Sequence, residues 1–77
     1  MNKARRTAIG ALMEKLQELK EEVEFIKDEE NEVLDNIPEN LQGTERYIQC
    51  ESAVENLEGA FDSIEEALEA LEAAKEG

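Results

Sequence analysis

Few residues in this chain can do chemistry. Cys50 is the one thiol, histidine is absent, and 21 Asp and Glu stand against 8 Lys and Arg. A nucleophilic cysteine needs a base or a cationic neighbour to become a thiolate. Cys50 falls instead on an apolar stripe, where a thiol packs as a small hydrophobe. Without histidine, the usual nitrogen ligand of zinc or iron is missing, and so are the Glu-x-x-His pairs from which helical bundles build di-iron centres. The stretch Asp28-Glu29-Glu30-Asn31-Glu32 is rich in oxygen ligands. It lacks the glycine and alternate spacing of an EF-hand loop, and it falls inside a predicted helix. The expectation is a protein that is not an enzyme and holds no metal and no cofactor.

Two charged features remain. Lys3, Arg5 and Arg6 cluster at the start of the first predicted helix, where free backbone N–H groups and the helix dipole favour anions. Taken from neighbouring chains and joined by Arg46 and Tyr47, they would line an anion pocket formed on assembly. The plainer reading is that they only meet the acidic end of the second helix, at Glu72 and Glu76. The other feature is a series of carboxylates, Glu51, Glu55, Glu58, Asp62, Glu65, Glu66, Glu69 and Glu72, on the exposed side of the second helix. Such a rigid row imitates the phosphates of a duplex, or is simply a solvated face. A formal net charge of -13 disfavours direct contact with nucleic acid, because phosphate contacts need Lys or Arg to release counterions. The same holds for anionic membrane surfaces. A basic protein is the partner this charge suits; a signalling nucleotide is the alternative.

The elements that must position these groups follow from periodicity. Ile9, Leu12, Leu16, Leu19, Val23 and Ile26 recur at strict spacings of three and four, a heptad stripe that Val33 and Ile37 continue beyond Glu30. This predicts a helix over about 3–36, stopped by Pro38, since the residue before a proline is pushed out of helical geometry. Residues 37–44 read as a connector. Thr44 is the predicted N-cap of a second helix over about 45–75, with Glu45 in its first turn. There the stripe is Tyr47, Cys50, Val54, Leu57, Phe61, Ile64, Leu68 and Leu71.

So short a connector between long helices predicts an antiparallel helical hairpin, an all-α, coiled-coil-like fold. Folding about residue 40 pairs Ile9 with Leu71, Leu12 with Leu68, Leu16 with Ile64, Leu19 with Phe61, Val23 with Leu57 and Ile26 with Val54, each apolar on both sides. The same register sets Lys20 opposite Glu65, Lys27 opposite Glu58 and Glu29 opposite Arg46. Glu30 interrupts the stripe opposite Cys50, either reaching solvent between the helices or setting the register of a partner.

The 77 residues make a single domain, and a chain of this size buries only about 60% of the surface its unfolded form exposes. Small domains compensate with disulfides, metals or self-association, and only the last is open here. Ala53, Ala60, Ala67 and Ala74, one heptad apart, let another helix come close. They predict an oligomer interface at which two hairpins form a four-helix bundle, unless the alanines serve helix propensity alone. No run of about 18 apolar residues for a membrane span and no signal-like stretch is present, and a lone thiol suits a reducing compartment, so a cytoplasmic protein is expected.

The opening Met1-Asn2-Lys3-Ala4-Arg5-Arg6, the turn Asp35-Asn36-Ile37-Pro38-Glu39-Asn40-Leu41-Gln42 and the runs Ala53-Val54-Glu55-Asn56-Leu57-Glu58 and Asp62-Ser63-Ile64-Glu65-Glu66-Ala67 resemble a group of small acidic helical proteins. These are uncharacterised proteins of gut-type Gram-positive bacteria and their phages and prophages. The resemblance implies a mobile-element origin. Small phage proteins of this shape often counter host defence, as acidic inhibitors that occupy nucleic-acid grooves or as oligomeric sponges for signalling nucleotides.

Overall fold

A computed structural model describes all residues, 1–77. The chain forms two long helices, α1 (Lys3–Asp35) and α2 (Glu45–Glu76), joined by a connector that contains one 3-10 turn, Glu39–Leu41. The helices pack against each other as a hairpin with principal extents of 59 × 15 × 13 Å.

Each boundary has a local cause. Asn2 and Thr44 are both extended in backbone, and their side chains accept from Arg5 N at 2.8 Å and Tyr47 N at 3.3 Å. These caps satisfy donors that the first helical turn would otherwise leave open. α1 ends at Asp35, two residues short of the Ile37 that Pro38 forces out of helical geometry. Beyond it, Ile37 N reaches back to Leu34 O at 3.2 Å. The 3-10 turn begins with Leu41 N on Pro38 O at 2.9 Å, and Leu41 O then accepts both Thr44 N at 3.1 Å and Thr44 Oγ1 at 2.7 Å. Thr44 thus ties the connector to the start of α2. No residue needs a positive φ to close the hairpin.

The register is visible in one cross-helix contact: the Cys50 thiol donates to Glu30 Oε1 at 3.1 Å. It puts 30 opposite 50, as a fold about residue 40 requires. At the far end Met1 N approaches Gly77 O at 3.5 Å.

The rotation of α1 about its axis departs from expectation. Its inward row runs Ile9, Met13, Leu16, Lys20, Val23, Lys27, Glu30, Leu34 and Ile37, all half-buried. Leu12, Leu19, Ile26 and Val33, expected in the seam, keep 49%, 50%, 52% and 43% of their surface exposed. The predicted ion pairs from Lys20 to Glu65, Lys27 to Glu58 and Glu29 to Arg46 do not form; the one ion pair is local, Lys27 Nζ to Asp28 Oδ1 at 3.8 Å. Turning inward, Lys20 and Lys27 lay their ammonium groups over the Phe61 ring, 5.0 and 5.6 Å from its centroid. The alkyl stems follow the apolar surface, and the ring face attracts the charge in place of a carboxylate. Only Cys50 and Val54, each 8% exposed, are buried, and no side chain is fully enclosed.

Candidate functional site

The acidic row lies on α2. Glu51, Glu55, Glu58, Asp62, Glu65, Glu66, Glu69 and Glu72 are all exposed, and none is in an ion pair. From Tyr47 to Ala74, α2 carries no Lys or Arg. At 1.5 Å per residue the row spans about 32 Å, one carboxylate every ~4.5 Å on average. The phosphates of one duplex strand are spaced about 3.4 Å apart along the axis. Because α2 is one unbroken helix, these charges are held at fixed separations.

The basic residues do not converge within one chain. Lys3, Arg5 and Arg6 are exposed in the first turn of α1. Arg46 lies at the connector end, lining a shallow concavity with Glu30, Val33, Gln49 and Cys50. From Arg5 to Val33 along α1 is about 42 Å, so the expected anion pocket would need residues from two chains. Tyr47, half-buried, follows Arg46 at the start of α2. Ion pairing of the first turn with Glu72 or Glu76 is also absent. Lys75 instead lies over Gly10, its Nζ 3.9 Å from where a β-carbon would stand.

Cys50 and Glu30 form the one polar contact in the seam. Besides Oε1, the thiol reaches the Glu30 backbone oxygen at 3.7 Å. The hydrogen bond to Glu30, then burial, then the Glu30 charge push the thiol pKa up, and Arg46 opposes them only partly. The site favours the protonated thiol over the thiolate that attacks electrophiles. Periodicity places Glu30 opposite Cys50; the direct hydrogen bond gives the buried thiol a nearer acceptor than the backbone oxygen.

No three Asp, Glu or Cys side chains stand close enough to share a metal ion, and Asp28 to Glu32 lie within α1. The alanine row is divided: Ala53 and Ala67 are half-buried, Ala60 and Ala74 exposed. Sequence reasoning missed the larger apolar feature, the exposed Leu12, Leu19, Ile26 and Val33. Their common seven-residue spacing is the available signal, but a hairpin seam shows the same spacing. No helix is long and apolar enough to cross a membrane. Comparison with protein-family models, with curated proteins and with solved structures finds no match to this chain.

Proposed function

We propose that this protein is a non-enzymatic binding protein whose acidic α2 face docks a basic partner, a nucleic-acid-binding protein being the class it suits. The observation that carries the reading is the uninterrupted run of eight exposed, unpaired carboxylates between Glu51 and Glu72. A surface that neutralised its own charge would interleave Lys or Arg at helical spacing, and α2 does so nowhere between Arg46 and Lys75. A preformed helix also docks without the entropic cost of ordering the segment. A mobile-element origin, which the resemblance leads one to expect, would make a host defence nuclease the basic partner. The nucleotide-sponge alternative rests on Lys3, Arg5 and Arg6 and requires a second chain to complete its pocket; a purely structural, self-assembling module requires no outside partner.

The test uses immobilised protein and bacterial lysate at low and high salt. Wild type should retain strongly basic, nucleic-acid-binding proteins, and high salt should release them as the charges are screened. A variant carrying Glu58→Lys, Asp62→Lys, Glu65→Lys and Glu69→Lys, shown helical by circular dichroism, should retain none. Identical eluates from the two baits would eliminate the acidic face as the docking surface. Calorimetry with cyclic nucleotides tests the sponge: binding by wild type that Arg5→Ala with Arg6→Ala abolishes would replace the present reading.

A further inference from the structure

The hairpin leaves a coherent apolar row uncovered. Leu12, Leu19, Ile26 and Val33 are spaced seven apart along α1, so they lie in line, and each is 43–52% exposed. In an antiparallel pair this row of α1 and the alanine row of α2 border the same side of the seam. One face of the hairpin therefore presents four large apolar side chains of α1 beside the exposed Ala60 and Ala74 of α2.

The amount of uncovered surface matches what a second copy would hide. The chain exposes 5726 Å². A compact protein of 8.7 kDa exposes about 4,700 Å², so the hairpin carries an excess of roughly 1,000 Å². A standard stable interface takes about 800 Å² from each partner.

Charge indicates which partner and in which direction. Residues 3–20 hold five Lys and Arg against two Glu, whereas residues 21–35 hold one Lys against eight Asp and Glu. α1 has no acidic residue in its first turn and no basic residue in its last, so both ends oppose its own dipole. A sequence that breaks a local rule at both ends of one helix is matched to something outside that helix. A second α1 running the other way supplies it, bringing each acidic half against a basic half. Laying α1 over the partner's α2 would instead set the acidic half against residues 45–60, which hold four Glu and one Arg.

We propose that two copies of this chain pack through the Leu12–Leu19–Ile26–Val33 face, α1 against α1 in antiparallel orientation, about a two-fold axis perpendicular to the helices. The arrangement closes a four-helix bundle and sets the alanine rows of the two α2 helices against each other. The basic first turn of each chain then meets carboxylates of its partner, and the outer carboxylates of α2 stay uncovered. The assembly does not depend on the proposed docking function and can be tested without it.

Sedimentation equilibrium of wild type should give twice 8.7 kDa. Leu19→Lys should give a helical monomer, and Ile48→Lys, at a site 57% exposed on the far side of α2, should remain a dimer. Orientation is read from a Cys50→Ala, Gly77→Cys variant carrying one spin label per chain. Antiparallel α1 packing places the two labels at opposite ends of the bundle, roughly 40–50 Å apart, whereas laying α1 over the partner's α2 places them at the same end, within the bundle's width. A wild-type monomer at micromolar concentration, a Leu19→Lys dimer or a short label distance would each overturn the proposal. If Leu19→Lys loses helicity, the wild-type mass and the label distance still decide.

Discussion

Glu30 is a charged residue in a row that is otherwise apolar or lysine stem, and replacing it gives a stability change that can be worked out from the contacts. Glu30→Leu keeps helix propensity nearly constant, since Glu and Leu are both good helix formers. A fully buried leucine stabilises by about 1.5–3 kcal/mol, and this site is half-buried, so the gain is about 1 kcal/mol. The loss is the hydrogen bond from the Cys50 thiol, 3.1 Å long and from a weak donor, at the low end of about 0.5–1.5 kcal/mol. The thiol keeps the Glu30 backbone oxygen as a longer-range acceptor at 3.7 Å. Removing one of the eight acids of residues 21–35 also relieves repulsion. The net expectation is a stabilisation of about 0.5–1 kcal/mol, a rise in Tm of roughly 2–8 °C for a domain of this size. The assay is thermal unfolding by far-UV circular dichroism at one fixed protein concentration, because the proposed self-association would make Tm concentration-dependent. Glu30→Gln, which keeps an oxygen acceptor and drops the charge, should change Tm by less than Glu30→Leu. A fall in Tm of several degrees with Glu30→Leu and none with Glu30→Gln would refute the reasoning, since the polar contact would then be holding the helices together.

Val54→Ala, at a site 8% exposed, should cost about 2 kcal/mol in urea unfolding, whereas Ile48→Ala at 57% exposure should stay within about 0.5 kcal/mol of wild type. Thr44→Ala removes both the cap on Tyr47 N and the bond to Leu41 O, and it should destabilise by about 1–2 kcal/mol; Asn2→Ala, which removes only the bond to Arg5 N, should cost less. Cys50 should react with iodoacetamide much more slowly in the folded than in the urea-unfolded chain, measured by mass spectrometry. Its folded pKa is raised above the unfolded 9.0, so its contribution is complete below pH 9.0, where both states hold the proton. Above that the unfolded thiol ionises first, and stability drains away as pH climbs through the folded value. Urea melts of wild type and Cys50→Ala should therefore converge as the pH rises above 9.0, and parallel curves would contradict the shift. Raising salt from about 0.01 to about 1 M, which shortens the Debye length from about 30 to about 3 Å, should raise Tm, because a chain of net charge -13 has one local ion pair to lose.

Most of the fold was legible in residue spacing because its causes are local. Pro38 stops a helix wherever it stands, Asn2 and Thr44 cap the helices they precede, and two stripes joined by a short connector must fold back on each other. The register was legible too, since a fold about residue 40 brings 30 to 50, where the thiol meets its carboxylate. The face that α1 turns inward was not. A heptad stripe defines an arc of helix surface, while a seam between only two helices uses part of an arc. Matching every apolar residue with an apolar partner took the whole arc as buried, and it took Lys20 and Lys27 as outer rungs for ion pairs. Exposed pairs of that kind are worth about 0–1 kcal/mol, too little to fix a helix's rotation when lysine stems can cover an aromatic ring instead. The acidic site divides the same way: which carboxylates share the outer face of α2 followed from spacing, whereas their lack of any cationic partner depended on where Lys20 and Lys27 went.

The misplaced half of the stripe bears on the assembly. Leu12, Leu19, Ile26 and Val33 add nothing that a two-helix seam needs, and four large apolar side chains in line on a solvent-facing helix invite non-specific association. A helix in a four-helix bundle, by contrast, touches neighbours on two sides and needs an apolar arc wider than one seam. The stripe read along the sequence and the rotated helix in the hairpin are compatible if a second layer covers the remainder. On that account the width of the apolar arc on α1, more than the alanines of α2, is what supports the proposed assembly.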